Sequence, residues 1–145
     1  MSIDTSKLIL KVVGIIGIIS GVGTLIMGIF SLWTGGLLTG AAAEVDSELG
    51  GAVAAVTLIG VISVIIVGIL TLLEGFFSVR AANDASKIMP AWIFAILGVI
   101  SAIVGVCSNF GGGFSALVSP IVTLIENGII FYAANTIKNS NDSKY

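Results

Sequence analysis

The sequence predicts an all-α integral membrane protein with four transmembrane helices in a bundle. Of its 145 residues, 57% are hydrophobic and only 10% are charged, and its mean hydropathy is +1.17. A soluble domain carries about 25% charged residues, so this chain cannot cover itself with a water-facing surface. A span needs about 20 apolar residues to cross ~30 Å of hydrocarbon. Four segments meet that need: Leu8–Trp33, Val53–Val79, Ala91–Ser108 and Phe114–Ala134.

The basic residues are sorted along the chain, and this sorting predicts the topology. The segment after span 1 holds Glu44, Asp46 and Glu48 and no Lys or Arg, and the segment after span 3 holds no charge. Lys- and Arg-rich segments stay cytoplasmic. Both termini and the middle connection are therefore predicted to face the cytoplasm, in a plasma or cytoplasmic membrane. The six basic residues flank the spans at Lys7, Lys11, Arg80, Lys87, Lys138 and Lys144.

Spans 1 and 2 are predicted to form a first hairpin, over about residues 8–80. The N-terminal segment SIDTSK is predicted to cap span 1 through Thr5 or Ser6. The acidic segment at about 34–52 is predicted to be an outer loop. Its alanine-rich centre is also compatible with a short outer helix or a longer second span, so this hairpin is expected to rise above the outer leaflet.

Spans 3 and 4 are predicted to form a second, shorter hairpin over about residues 91–136. Asn83 and Asp84 suit a helix end and turn, and Pro90 suits the first turn of span 3. The three glycines at 111–113 predict a tight outer turn. Pro120 indicates that span 4 kinks or begins late. Together the two hairpins make one membrane domain, residues 1–145.

The two hairpins share a sequence pattern that indicates an internal repeat. An offset of 52 residues places Glu74 on Glu126, and it aligns the Ala-Ala-Asn at 81–83 with the Ala-Ala-Asn at 133–135. Two parallel-related hairpins with an axis along the membrane normal explain this match, as in some membrane transporters.

Each span carries one stripe of small or hydroxyl-bearing residues at helical spacing. In lipid, helices associate by close backbone approach at small residues and by hydrogen bonds between helices. These stripes are interpreted either as packing within one bundle or as a seam between copies of the chain. The predicted helix-packing seam comprises Gly17, Ser20, Gly21, Ser63, Gly98, Ser101, Gly105, Ser119 and Thr123.

Glu74 and Glu126 are carboxyls inside apolar spans. Each lies six residues, or about 9 Å along a helix, from a residue at the predicted cytoplasmic edge. Gly17 and Gly98 fall at the same level and are predicted to leave room for the carboxyls inside the bundle. An intramembrane ionisable residue marks a functional site by default. Structural hydrogen bonding, ion or proton handling, and partner contact are the three interpretations of the pair.

A second group of residues is predicted to lie at the cytoplasmic interface. Aromatic rings are typical of the headgroup level of a membrane. The segment between spans 2 and 3 carries basic and amide side chains shortly before Trp92. The predicted interface residues are Arg80, Asn83, Lys87, Trp92 and Asn135.

Several classes of chemistry are excluded by composition. The chain has no histidine, and Cys107 is its one cysteine. An intramolecular disulfide, a His/Cys metal cluster and Ser-His or Cys-His catalysis are therefore excluded. No Gly-rich phosphate loop or basic patch with interleaved aromatics occurs. We expect no enzyme, no cofactor, no metal site and no nucleic-acid partner.

Three functional hypotheses are compatible with these features. The first is a non-enzymatic scaffold or assembly subunit, which associates with itself or with a membrane partner through its small-residue seams. The second is a small transporter or channel that handles protons or cations at Glu74 and Glu126. The third is an accessory or immunity-type membrane protein. The lipid bilayer is a partner in all three.

Overall fold

The computed structural model describes residues 2–45, 47–108 and 114–142, with all side chains except those at 36–45, 47–50, 114–116 and 119. The described chain is helical almost throughout, and four of its helices are long and apolar enough to cross a membrane. The prediction of an all-α chain with four such helices is confirmed. The elements are α1 (Ile3–Val45), α2 (Ser47–Asn83), a 3-10 turn (Ala85–Lys87), α3 (Ile88–Ser108) and α4 (Phe114–Asp142).

The N-terminal cap of α1 differs from the prediction. The helix begins at Ile3, and the Ser2 hydroxyl oxygen accepts a hydrogen bond from the Thr5 backbone N–H at 3.2 Å. The cap is therefore Ser2, and the prediction of Thr5 or Ser6 was wrong. The prediction placed the cap next to the first residue of the apolar pattern, but the helix begins several residues before that pattern.

The first two helices are much longer than the last two. α1 has 43 residues and α2 has 37, whereas α3 has 21 and α4 has 29. At about 1.5 Å per residue, α1 is about 65 Å long. Most of the acidic segment 34–52, predicted as an outer loop, is helical, and the three alanines at 41–43 are strong helix formers within it. Asp46 and the glycines at 111–113 lie outside the described residues.

A short polar turn separates α2 from α3. α2 ends at Asn83, as predicted, and the Asp84 carboxylate accepts hydrogen bonds from the Ser86 backbone N–H at 3.1 Å and the Ser86 hydroxyl at 2.6 Å. The Lys87 ammonium lies 2.7 Å from the other carboxylate oxygen. Hydrogen bonds from Lys87 and Ser86 lower the pKa of Asp84 to about 2. Pro90 lies in the first turn of α3, also as predicted.

The chain divides into two compact units. We call Gly17–Leu73 the hairpin unit, and Met1–Ile16 together with Glu74–Tyr145 the alanine-core unit. The alanine-core unit packs small residues between a few large ones, and both Ala-Ala pairs of the predicted repeat contribute to it. Its core residues are Leu10, Ala81, Ala82, Ile88, Ala91, Ala95, Ile130, Ala133, Ala134 and Ile137.

Within the alanine-core unit, α3 and α4 pack through faces whose buried residues are mostly three or four positions apart. Gly98 faces the side chain of Asn127, which donates a hydrogen bond to the Thr123 carbonyl oxygen at 2.9 Å. A β-carbon placed on Gly105 would lie 3.8 Å from Pro120 Cβ, an ordinary contact. Gly98 and Gly105 are therefore helix-packing residues of this pair. Pro120 is tolerated inside α4.

In the hairpin unit, α1 and α2 meet along a glycine seam. Gly21, Gly28 and Gly35 recur every seven residues on α1 and are buried. A β-carbon on Gly21 would lie 2.7 Å from the Leu72 backbone nitrogen. One on Gly28 would lie 3.0 Å from Ile65 Cγ1, and one on Gly35 would meet the Thr57 methyl group. The residue number of the contacted position on α2 decreases as the residue number on α1 increases. The two helices are therefore antiparallel.

The α2 side of this seam follows the same spacing. Val61 and Gly68 are buried seven residues apart, and a β-carbon on Gly68 would lie 3.0 Å from the Leu25 side chain. A seven-residue repeat keeps one contact line facing the partner when the helices supercoil left-handedly. In the alanine-core unit, α1 and α2 also meet at a glycine. There, a β-carbon on Gly14 would lie 2.8 Å from the Gly75 carbonyl oxygen.

Candidate functional site

The glycine seam divides the surface of the hairpin unit into two sides. Counting from a seam residue at about 100° per residue, residues two, three and six positions further on fall on one side of the helix. Residues one, four and five positions further on fall on the other. Because α1 and α2 are antiparallel, equivalent positions of the two helices lie on the same side of the pair.

These two sides differ in composition. From residues 17–34 and 57–73, every Ser, every Thr and every glycine outside the seam falls on one side, which we call the small side. The opposite, bulky side holds only large apolar residues. The small side carries Gly17, Ser20, Gly23, Thr24, Ser31, Thr34, Thr57, Gly60, Ser63 and Thr71. The bulky side carries Ile18, Ile19, Val22, Leu25, Ile26, Ile29, Leu32, Trp33, Leu58, Ile59, Ile62, Ile65, Ile66, Ile69, Leu72 and Leu73.

The small side is open. A β-carbon placed on Gly23 or Gly60 would meet nothing within 4 Å, and Ser20 and Ser63 are exposed. Five larger residues are interleaved with the small ones, so the surface is notched rather than smooth. They are Met27, Phe30, Val64, Val67 and Leu70.

Five of the seven hydroxyl groups on the small side donate to backbone carbonyls of their own helices. Thr24 donates to the Ser20 carbonyl oxygen at 2.9 Å, and Ser63 donates to the Ile59 carbonyl oxygen at 2.8 Å. Ser31 and Thr71 make the same bond to the carbonyl four residues back. Their polar atoms therefore need no partner helix, and the small side is distinguished by its shape.

The predicted seam residues separate into two groups in the structure. Gly21, Gly98 and Gly105 lie inside helix pairs, whereas Ser20, Ser63, Ser101 and Thr123 are exposed and Gly17 is half-buried beside the glycine seam. The Ser119 side chain lies outside the described residues. The sequence prediction missed the other packing glycines, although their seven-residue spacing is readable in the sequence. These missed glycines are Gly14, Gly28, Gly35, Gly68 and Gly75.

Glu74 and Glu126 lie in different surroundings within the alanine-core unit. Glu74 is half-buried, and its Oε1 is buried with no hydrogen-bond partner among the described residues. Glu126 is exposed on α4. The two carboxyls are close enough for their charges to interact. The prediction that Gly98 leaves room for a carboxyl was wrong, because Gly98 accommodates the neighbouring Asn127.

Residues of the predicted cytoplasmic interface lie on α2, the polar turn, α3 and α4. The Lys138 ammonium lies 4.8 Å from the centre of the Trp92 ring, and 3.5 Å from an Asp142 carboxylate oxygen. The Trp92 indole nitrogen is buried, with no hydrogen-bond partner in the described part of the chain. Asn141 links α4 to the polar turn by donating to the Ala85 carbonyl oxygen at 2.7 Å. Arg80, Asn83 and Lys87 are exposed, and Asn135 is half-buried.

No group of three or more His, Cys, Asp or Glu residues in the described ranges could hold a metal ion. Cys107 is exposed on α3. No protein-family model, curated protein or solved structure matches the chain. The features with functional potential are the small side of the hairpin unit and the carboxyls of Glu74 and Glu126.

Proposed function

We propose that the protein is a non-enzymatic, multi-pass membrane protein that acts as a scaffold or assembly subunit. It associates with itself or with a membrane partner through the small side of the hairpin unit. One observation carries the proposal. The small and hydroxyl residues outside the seam are confined to one side of the helix pair, and that side is open while the seam is already occupied.

The physical basis is the difference between lipid and a second helix as a neighbour. Between helices in a bilayer there is little hydrophobic drive, so packing decides association. A notched surface lets another backbone approach closely, as glycine does within the seam. The bulky side, whose described residues are large and apolar, suits contact with lipid chains. Because most of these hydroxyls bond within their own helices, we expect shape rather than hydrogen bonding to set the strength of association.

We propose the following arrangement for this assembly subunit in a plasma or cytoplasmic membrane. Both termini and the polar turn at Asp84 face the cytoplasm, and two parallel-related hairpins form a four-helix bundle. The distribution of the six basic residues supports this orientation. Trp92 and Lys138, stacked at one end of α3 and α4, are of the types that anchor helices at a headgroup layer.

Native mass spectrometry in mild detergent tests self-association. We expect the parent protein to give a defined oligomer, and the double variant Gly23→Leu/Gly60→Leu to give smaller species, because both leucines fill open notches. Ile62→Phe, which adds bulk to the bulky side, is the matched control and should keep the parental mass. A monomeric parent, or an oligomer that survives the double variant, contradicts self-association through this side.

A photocrosslinker at Ser63 in native membranes then tests whether the small side binds a different membrane protein. The absence of any crosslinked product contradicts that form of the proposal too.

Proton or cation handling is the second candidate function. The unpartnered Oε1 of Glu74, close to the exposed Glu126, favours it, since a buried carboxyl oxygen without a hydrogen bond is costly unless something binds it. In liposomes, Glu74→Gln combined with Glu126→Gln is expected to abolish pH-dependent flux, while Ser101→Ala should leave it intact. Equal flux in the parent and the double variant contradicts this candidate.

A further inference from the structure

Glu126 lies near the middle of α4. It follows the first residue of the helix, Phe114, by twelve positions and precedes Lys138 by twelve. At about 1.5 Å per residue, each of these distances is about 18 Å. If α4 crosses the bilayer, Glu126 lies inside the hydrocarbon, about 9 Å along the helix from Tyr132 at the predicted cytoplasmic edge. A carboxyl at such a depth is costly to expose to lipid.

The surface around Glu126 is apolar and uncovered. Val122, Ile125 and Ile129 are exposed by 57%, 59% and 48%, respectively. With Glu126 they form the outer face of α4, whereas Ile130 and Ala134 point into the core. The carboxyl therefore stands on an apolar face that no described part of this chain covers.

The same place lacks a positive charge. Glu74 lies close enough to Glu126 for their charges to interact, so the site concentrates two carboxyls. The ion pairs among the described residues are Lys87 with Asp84 and Lys138 with Asp142. Neither glutamate takes part in them. A cation that reached Glu126 in a low-dielectric environment would interact with it strongly.

A second copy of the chain does not supply such a cation. All six basic residues lie at or near the ends of the spans, and the residues of α4 between Phe114 and Lys138 include none. In a parallel pair of copies, Glu126 would face another carboxyl. Charge complementarity therefore calls for a different molecule.

We infer that the outer face of α4 binds a membrane-spanning helix that carries a Lys or Arg at the depth of Glu126. The cation pairs with Glu126, and the apolar residues of the partner helix cover Val122, Ile125 and Ile129. This apolar contact over two turns favours a helix over a small hydrated cation, which would leave those residues uncovered. The inference deepens the proposed function by naming a partner class, and it rests on that function only for the existence of a membrane partner. It uses a surface other than the small side.

The probe is a synthetic 24-residue Leu/Ala helix with tryptophan flanks and one central lysine. The full-length protein and the peptide carry a fluorescence donor and acceptor in phosphatidylcholine vesicles, and energy transfer reports binding. A matched peptide has leucine at the centre, and a third has the lysine moved five residues towards one end. Polar contacts between membrane helices are worth about 0.6–2 kcal/mol, so the central-lysine peptide is expected to bind about 3- to 30-fold more tightly than the leucine peptide.

Variants of the protein identify the group that binds. Glu126→Gln should remove the preference for lysine, whereas Glu126→Asp should keep it. Because Glu126 is exposed, both variants are expected to retain the parental helicity and thermal unfolding. Equal binding of the three peptides to the parent overturns the inference, and this result does not depend on any variant folding. Undiminished lysine preference in Glu126→Gln also overturns it.

The measurement separates this inference from the proposed function. Energy transfer between identical fluorophores on different copies of the protein (homo-FRET), recorded in the same vesicles, reports self-association. If copies associate through Glu126 and the lysine peptide does not compete, the occupant of this face is a second copy and the inference is wrong. If the lysine peptide binds through Glu126 while the small-side variants keep the parental mass, the inference stands and self-association through the small side fails.

Discussion

The hairpin unit and the alanine-core unit achieve helix packing by different means. In the hairpin unit, α1 and α2 meet where side chains are missing, and Val61 is the one large residue buried among those described. The alanine-core unit instead buries alanines between large residues such as Leu10, Ile130 and Ile137. In the hairpin unit the helices come close because the contact line lacks side chains, whereas in the alanine-core unit side chains fill the space between the helices.

The cost of adding a β-carbon at a packed glycine depends on which atoms it would meet. At Gly21, the neighbours of a new β-carbon are backbone atoms of Leu72. At Gly98, the neighbour is the amide end of Asn127. A backbone moves only if the whole helix moves, whereas a side chain can rotate. Gly→Ala is therefore expected to cost more at Gly21 than at Gly98.

The largest expected effect is that of Gly21→Ala. Its β-carbon would lie 2.7 Å from the Leu72 nitrogen and 2.9 Å from the Leu72 Cα, so α1 and α2 must separate. Overpacking costs about 1–3 kcal/mol and occasionally more, and we expect this variant to reach the top of that range. Thermal unfolding in bicelles, followed by circular dichroism, measures it.

Gly23→Ala is the matched control for this prediction. A β-carbon there meets nothing within 4 Å, and the gain in helix propensity is the same. We expect equal or slightly higher stability than in the parent. Equal destabilisation by the two variants would show that the glycine seam does not hold the hairpin unit together.

An intermediate effect is expected for Gly98→Ala in the alanine-core unit. The new methyl group displaces the Asn127 side chain, which can rotate, so we expect a loss near the lower end of the ~1–3 kcal/mol range. Adding Asn127→Ala should recover part of that loss, and a double-mutant cycle measures the coupling. Gly105→Ala, with only an ordinary contact to Pro120, should be nearly neutral. Additivity of Gly98→Ala and Asn127→Ala would contradict the contact.

The smallest effect concerns the polar turn between α2 and α3. Hydrogen bonds lower the pKa of Asp84 to about 2, so its contribution to stability is complete above the ordinary value of about 4 and is lost as the pH falls through about 2. Lys87→Met should raise this pKa towards the ordinary value. Carboxyl chemical shifts in an NMR titration measure it. Because the turn is exposed, high salt should weaken the effect, and an unchanged pKa in Lys87→Met would contradict it.

Sequence patterns were sufficient for the gross architecture of the chain. Long uncharged apolar segments predicted four helices of spanning length, and the Asn83–Asp84 pair predicted the end of α2. The stripe argument was less successful because it grouped Gly17, Ser20 and Gly21 together. Only Gly21 of these is buried in the seam, and a shift of one residue rotates a side chain by about 100°.

Packing partners were harder to predict than helices. Two residues at one depth, such as Gly98 and Glu126, do not become neighbours unless their faces also coincide, and the structure places Asn127 against Gly98 instead. The depth of a residue follows from its position along the helix. The direction in which its side chain points depends on how each helix is rotated about its own axis relative to its neighbours. The seven-residue glycine repeat would have fixed that rotation for α1.

The placement of the two tryptophans gives the molecule a built-in pair of optical reporters. Trp33 lies on the bulky side of the hairpin unit and is 67% exposed, whereas Trp92 lies in the alanine-core unit beneath the Lys138 ammonium. The chain has no other tryptophan. With one ring replaced by phenylalanine, the emission of the other reports on a single unit. Brominated lipids then quench Trp33 and Trp92 according to their own depths, so unfolding and immersion can be followed separately in each half of the chain.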